Sequence, residues 1–267
     1  MHIVVCIKQV PATLDVRVDP VTHNLIREGT ESTINSFDAH ALEEALRLCE
    51  RFGGKVSVIS MGPPQVKDAL RKALAMGADE AYLLCDRALG GADTLATAYT
   101  LAKGIKRLLP PYDLILCGRH AVDADTGQVG PMLAEELGLP QVTMVKKLEC
   151  DGKSAVAWRE SAEGTAVWEV PLPAVITVGS EINTPRYPKP IGIMRAAKKP
   201  LTVWTAQDLD VDEDKIGLKG SPTRVARLFS PERVSHVEML SGDPEVAAAT
   251  LVRKLKGNKL LQVQGGC

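Results

Sequence analysis

The sequence has no apolar run approaching the roughly 18–20 residues of a membrane-crossing helix, so no membrane span is predicted. It also lacks a surplus of either charge: 32 Lys and Arg stand against 33 Asp and Glu, a formal net charge of −1, and a basic nucleic-acid-binding surface is not expected. Its six cysteines (Cys6, Cys49, Cys85, Cys117, Cys150 and Cys267) form no C-x-x-C and no zinc spacing. Three of them lie in or at the end of apolar runs. They read as buried thiols of a cytoplasmic protein rather than as metal ligands or disulfides. The opening Met1-His-Ile-Val-Val-Cys-Ile-Lys8 is too short and too abruptly polar for a signal peptide and reads as a first strand. No acid–base or nucleophile pair is evident, so no catalytic residue is expected.

What is present is an alternation. Short β-branched runs at Ile3–Ile7, Val56–Ser60, Ala81–Leu84 and Leu114–Cys117 are separated by helical patterns at Asp38–Arg51, Pro64–Met76 and Ala92–Leu109. This predicts an α/β fold: a doubly wound, mostly parallel sheet with helices on both faces. With strand order 3-2-1-4-5, a ligand crevice falls between strands 1 and 4. An insertion at Pro11–Ser36 carries a small hairpin pattern at Val16–Arg27. Beyond Leu139, Thr143–Cys150 and Ser154–Glu160 flank Asp151-Gly152 as a hairpin, with further strands at Val167–Val170 and Ala174–Val178. From Ile182 the chain turns Pro-rich and basic, residues 205–244 lack strong periodicity, and a last helix covers Pro244–Leu255. The predicted division is an α/β domain over 1–185 and an arm over 186–267. An arm with one helix buries little by itself and is expected to wrap a partner subunit.

The chemistry concentrates in Gly118-Arg-His-Ala-Val-Asp-Ala-Asp-Thr-Gly-Gln-Val-Gly-Pro131. This loop follows the apolar run Asp113–Cys117 and precedes the helical pattern from Met132. A strand, a turn with Gly127 and Gly130, and a helix start together bind phosphate, because the first N–H groups of a helix are unpaired and its dipole favours an anion. The loop has no Lys and is not a Walker-type loop, which points to a nucleotide that is held rather than hydrolysed. His120 within it reads as a hydrogen-bonding surface residue. Elsewhere, Asn35–Asp38 and Asp93 read as helix N-caps. Thr94 and Thr97 share a helix face. Lys198-Lys199 reads as a solvated pair.

Several motifs are recognisable in order: Val4-Val-Cys-Ile-Lys-Gln-Val10, Asn35-Ser-Phe-Asp38 leading into Ala41-Leu-Glu-Glu-Ala-Leu46, Ala73-Leu-Ala-Met-Gly-Ala-Asp79, the Gly118–Pro131 loop, Pro185-Arg-Tyr187 and Ile193-Met194. From residue 1 to about 200 the chain resembles the beta (small) subunit of electron-transfer flavoproteins. Met61-Gly-Pro-Pro64 and Asp86-Arg-Ala-Leu-Gly-Gly-Ala-Asp-Thr94 resemble its electron-bifurcating branch. Ser36-Phe37 stands where bifurcating members have Pro-Asp, and Phe37 resembles the AMP-holding branch.

The resemblance implies FAD in this subunit, accepting hydride from NADH, or structural AMP if the chain is a non-bifurcating carrier. The alpha subunit would hold the other FAD and pass one electron to an acyl-CoA dehydrogenase. The second electron would reduce ferredoxin or flavodoxin. The resemblance places the adenosine diphosphate part on Ala124, Asp125, Thr126, Gly127, Gln128, Val129 and Gly130, with Arg119 offsetting pyrophosphate charge. Asp123 and Asp125 would face ribose hydroxyls or backbone amides. Asn35, Ser36, Phe37 and Asp38 would contact adenine and ribose; Cys6, Met61 and Gly62 would line the adenine pocket. Asp93, Thr94 and Thr97 would edge the FAD phosphates and ribityl chain. The segment Arg186–Ala196 resembles the family's docking loop, with Arg186, Tyr187, Pro190, Ile191, Ile193 and Met194 as contacts. Two other readings stand beside this: an ATP-binding regulatory domain, against which the Pro-rich arm speaks, and an ATP pyrophosphatase, whose Ser-Gly-Gly-type loop is missing after strand 1.

Overall fold

The structure, a computed structural model, describes residues 1–12, 32–108, 111–226 and 237–261. In chain order the first unit contains β1 (His2–Cys6), β2 (Gln9–Pro11), β3 (Ser32–Ile34), α1 (Ser36–Phe52), β4 (Lys55–Met61), α2 (Val66–Met76), β5 (Glu80–Leu84) and α3 (Thr94–Lys106). Then follow β6 (Leu114–Gly118), α4 (Val129–Leu137), β7 (Gln141–Cys150), β8 (Ser154–Ser161), β9 (Gly164–Pro171), β10 (Ala174–Val178), α5 (Pro190–Ala196) and β11 (Leu201–Trp204). The hairpin pattern at 16–27 lies outside the described residues. The two ends of that insertion, β2 and β3, pair antiparallel.

The fold is the α/β class read from the sequence. Nine strands form one sheet in the order β11-β5-β4-β1-β6-β10-β7-β8-β9. All neighbours from β11 to β7 run parallel; β8 and β9 extend the sheet antiparallel. Central strands are buried on both faces, which is why β1 reads Ile-Val-Val without a polar alternation. Side chains of Ile3, Val5, Val56 and Val58 pack with α1 and α2; Val4, Cys6, Ile59, Ile115 and Cys117 pack with α3 and α4. The strand order reverses between β1 and β6, so the crevice lies at Cys6 and Gly118, as expected.

Two details differ from the expected order. β10 inserts between β6 and β7, so the fifth parallel strand comes from later in the chain. The segment after the expected boundary at 185/186 also returns to the sheet: β11 pairs with β5, and the compact unit runs Met1–Arg227. Lys199 helps to fasten that return. Its ammonium donates to the carbonyls of Leu74, Gly77 and Ala78 at the carboxyl end of α2, at 3.2, 3.3 and 2.6 Å. A cation there answers the helix dipole and the unpaired carbonyls. Lys199 is therefore a cap and not part of a solvated pair; only Lys198 is exposed.

The second unit, Leu228–Cys267, contains α6 (Pro244–Gly257), which begins with Pro in its first turn. Val246, Leu251 and Val252 on this helix are exposed. No described helix is long and apolar enough to cross a membrane.

Candidate functional site

The loop from Gly118 to Gly130 is stapled down from beneath by three residues remote in sequence. Asn35 is fully buried; its side-chain amide donates to the His120 carbonyl at 2.9 Å and accepts the Val122 N–H at 3.1 Å. Asp38 accepts the Lys8 N–H at 2.7 Å and the Gly118 N–H at 3.1 Å. The Lys8 ammonium pairs with the Asp123 carboxylate at 2.7 Å. These bonds correct the reading of Asn35–Asp38 as a cap. Asn35 is the N-cap residue of α1, but its side chain makes no capping bond, because the loop claims it. Asp38 sits inside α1 and joins β1 to β6 through their ends. Asp123 is held by the Lys8 ammonium. Burial pushes the Asp38 carboxyl up to about 7, against the opposing effect of the N–H groups it accepts.

Above these staples the loop turns through Asp125 and Gly127, with φ of 51° and 62°. α4 then starts on the sheet with Gly130 against it: a Cβ there would collide with Thr177 Cγ2. The N–H groups of Gly127, Gln128, Val129 and Gly130 meet no acceptor among the described residues, and Gln128, the N-cap, makes no side-chain cap. Four free donors thus stand at the head of α4, beside the switch point, in the geometry an anion would need. Ala124 and Thr126 lie exposed in the same loop.

Arg119 lies at the edge of these donors. Its guanidinium carbon is 4.7 Å from the Phe37 ring centroid, and its Nε is buried without a hydrogen-bond partner among the described residues. Phe37 also carries the His120 ring at 4.5 Å, and His120 Nε2 is 3.3 Å from Asp125. Asn35, Phe37 and Asp38 thus converge on the loop at the start of α1, and Ser36 between them is exposed.

On the opposite side, Thr94 Oγ1 donates to Gln128 Oε1 at 3.0 Å, tying the head of α3 to the head of α4. Thr97 follows one turn later, half-buried. Asp93 is committed elsewhere. Its Oδ1 caps the N–H groups of Leu95 and Ala96, as expected, while Oδ2 accepts from the N–H and hydroxyl of Thr223 at 3.0 and 2.8 Å. Burial opposes ionisation, but these donors together hold the Asp93 carboxyl below its usual range. With both oxygens occupied, Asp93 organises the helix start.

Cys6 and Cys117 are register partners on β1 and β6, and their thiols meet under the loop in the buried layer with α3 and α4. Met61, at the end of β4, borders the same layer. Gly62 donates its N–H to the Leu84 carbonyl at 3.0 Å, and a Cβ on it would strike Val66. No group of His, Cys, Asp and Glu among the described residues could hold a metal ion.

The residues 186–194 lie away from this crevice, against α1 and α2. Arg186 is not a free contact: its guanidinium is bound by Glu43, at 2.8 Å, and by Glu50. Pro190 opens the short helix α5, where a rigid loop was expected. Tyr187, Ile191, Ile193 and Met194 are exposed, and α2 and α5 form a shallow apolar groove lined by Ala75, Pro188, Ile193, Ala196 and Ala197.

The sequence reading missed Lys8, Thr177, Ser221 and Thr223. Lys8 was visible as a polar residue ending an apolar strand opposite the Gly-rich loop. Nothing in the pattern marks the other three.

The pattern of the electron transfer flavoprotein domain matches residues 22–209 of this chain. The electron transfer flavoprotein subunit beta of Clostridium acetobutylicum is 53% identical over 256 residues, covering 96% of this chain and 98% of the relative. The caffeyl-CoA reductase–Etf complex subunit CarD of Acetobacterium woodii is 47% identical, covering 98% of this chain and all of the relative. The protein FixA of Azorhizobium caulinodans is 41% identical, covering 96% of this chain and 94% of the relative.

Proposed function

The chain belongs to the electron-transfer flavoprotein family as a beta subunit, and from that premise we propose that its crevice holds FAD and that the heterodimer bifurcates electrons from NADH. An alpha subunit is the partner implied by membership. The further partners are an acyl-CoA dehydrogenase and ferredoxin or flavodoxin, and the compartment is the cytoplasm. The observation that carries the reading is the run of N–H groups from Gly127 to Gly130, unpaired among the described residues, at the switch point on a loop that itself contains no lysine. Such a site binds a phosphate firmly and offers no group to transfer it.

The residues fit an adenine dinucleotide. Gly127, Gln128, Val129 and Gly130 would take the phosphates, and Arg119, with its unpartnered Nε, would balance their charge. Asn35 to Asp38 would set the adenosine end. Thr94 and Thr97 would carry the polar edge onward along α3, where an FAD continues and an AMP does not. Bound there, a flavin supplies two-electron acceptance with one-electron release, while the protein orients it and excludes water. Two further observations support the bifurcating branch: the Gly90–Thr94 motif, and the relative named as a subunit of a caffeyl-CoA reductase complex, an acyl-CoA redox partner. The arm expected over 186–267 would reach the alpha subunit through the part of it beyond β11, with Tyr187, Ile191, Ile193 and Met194 offered to the dehydrogenase.

A second reading, structural AMP in a non-bifurcating carrier, is favoured by Phe37 under Arg119. The FAD and AMP content of the co-purified heterodimer separates the two. Two FAD and no AMP are expected. One FAD and one AMP would make the chain a carrier and reduce the Gly90–Thr94 motif to a helix cap.

A further inference from the structure

Residues 217–223 are zipped onto the loop that opens α3. The Leu218 N–H donates to the Gly90 carbonyl at 3.1 Å. Gly217, at φ 55°, lies so close to the Ala88 carbonyl that no side chain could stand there. Ser221, buried, accepts the Asp93 N–H at 2.8 Å and donates its hydroxyl hydrogen bond to the Gly217 carbonyl at 2.7 Å. Thr223 donates twice to Asp93 Oδ2. Asp93 caps α3, the next residue Thr94 holds Gln128, and Gln128 opens α4. The bonds therefore run without a break from Thr223 to the N–H groups at the head of α4.

We propose that Ser221 and Thr223 are positioning residues of the nucleotide site, fixing the Asp93 cap so that the Thr94–Gln128 bond holds the head of α4 in its binding geometry. This rests on the reading of that crevice as an adenine-nucleotide site. A capping carboxylate needs one oxygen for the helix. The second oxygen of Asp93 is spent on a segment 130 residues away, and the backbone N–H of Asp93 on Ser221. Such a two-sided hold fixes the residue's orientation rather than merely satisfying the cap. Gln128 has a flexible side chain, and its hydrogen-bonded partner among the described residues is the hydroxyl of Thr94, so the placement of α3 becomes the placement of Gln128.

The test uses the nucleotide-depleted alpha–beta heterodimer titrated with AMP, which carries the adenosine and phosphate that any ligand of this site shares. Thr223→Val, which keeps shape and removes the hydroxyl, is expected to weaken AMP binding about tenfold, and Thr223→Ser to restore it. Combined with Thr94→Val, Thr223→Val should cost little more than either change alone, because both break one path. Full affinity in Thr223→Val, or losses that multiply in the double variant, would overturn the proposal. Should Thr223→Val not fold, amide exchange on the wild type decides: AMP must slow exchange across 217–223, since coupling is reciprocal, and unchanged exchange there sinks the idea. A wild-type heterodimer that binds no AMP fails the reading of the crevice itself, whereas normal wild-type binding with an indifferent Thr223 fails only this inference.

Discussion

Asp38 Oδ1 accepts the N–H of Gly118 at 3.1 Å, across 80 residues of sequence, and this bond closes the floor of the crevice. The approach is so close that a Cβ on Gly118 would overlap the carboxylate. The other oxygen takes the Lys8 N–H, so one buried carboxyl joins the ends of β1 and β6.

That carboxyl makes stability fall with rising pH. Its folded-state pKa of about 7 lies above the ordinary 3.8, because burial disfavours the anion. The folded state then binds more protons than the unfolded state between those values. The contribution is complete below about pH 4 and is lost as pH rises through 7, a span on the order of a few kcal/mol. Asp38→Asn does not titrate. Denaturation midpoints of the two proteins from pH 5 to 8.5 should therefore diverge, with the wild type losing ground. A constant difference would mean that Asp38 is ionised throughout.

Gly130 is predicted to be intolerant for a reason that can be relieved. Its missing Cβ would collide with Thr177 Cγ2, while the Thr177 hydroxyl accepts the N–H of Met144, a residue at φ 57°. Gly130→Ala should destabilise by about 1–3 kcal/mol through overpacking. Adding Thr177→Ser removes the methyl, keeps the hydroxyl and should recover most of the loss in urea denaturation. No recovery would place the strain in the α4 backbone instead.

The sheet was legible because its strands are buried on both faces and announce themselves as β-branched runs; Ala174–Val178 was read at its true bounds. The loop was legible because glycine spacing after a strand has few structural meanings. What escaped depends on pairing across sequence. Nothing local says that β10 displaces β7 next to β6. Nothing says that Lys199 points at three carbonyls of α2 while Lys198 faces water. Asp93 was recognised as a cap from its position, but its second partner, Thr223, lies in a stretch without periodicity. Asn35 looked like a cap for the same local reason, and the loop it holds is 85 residues away.

Asn35→Ala should separate the loop from the sheet. The substitution leaves the Val122 N–H and the His120 carbonyl without their buried partner, at a cost of about 2–3 kcal/mol. Because both groups belong to the loop, amide exchange should accelerate at 119–126 more than in β1 or β6, and AMP affinity should fall alongside. Uniform acceleration across the sheet would show that Asn35 acts on global stability alone.

Lys199 and Lys198 provide a contrast within one dipeptide. Lys199 supplies three N–H donors to the Leu74, Gly77 and Ala78 carbonyls, and Arg71 answers from α2 by donating to the Ala196 and Lys199 carbonyls at 2.7 and 2.8 Å. Together they fasten the segment between α5 and β11 to α2. Lys199→Met retains the aliphatic stem and removes the donors, so the carbonyls are left to weaker partners; a loss of about 1–3 kcal/mol is expected. Lys198→Met should stay within about 0.5 kcal/mol, as exposed changes do. Lys199→Met should loosen β11 first, because the entry of that strand into the sheet, where the Ala81 N–H donates to the Pro200 carbonyl at 3.0 Å, follows Lys199 directly. Equal effects of the two lysines on urea midpoints would refute the cap, and amide exchange confined to β11 and the end of α2 would locate it.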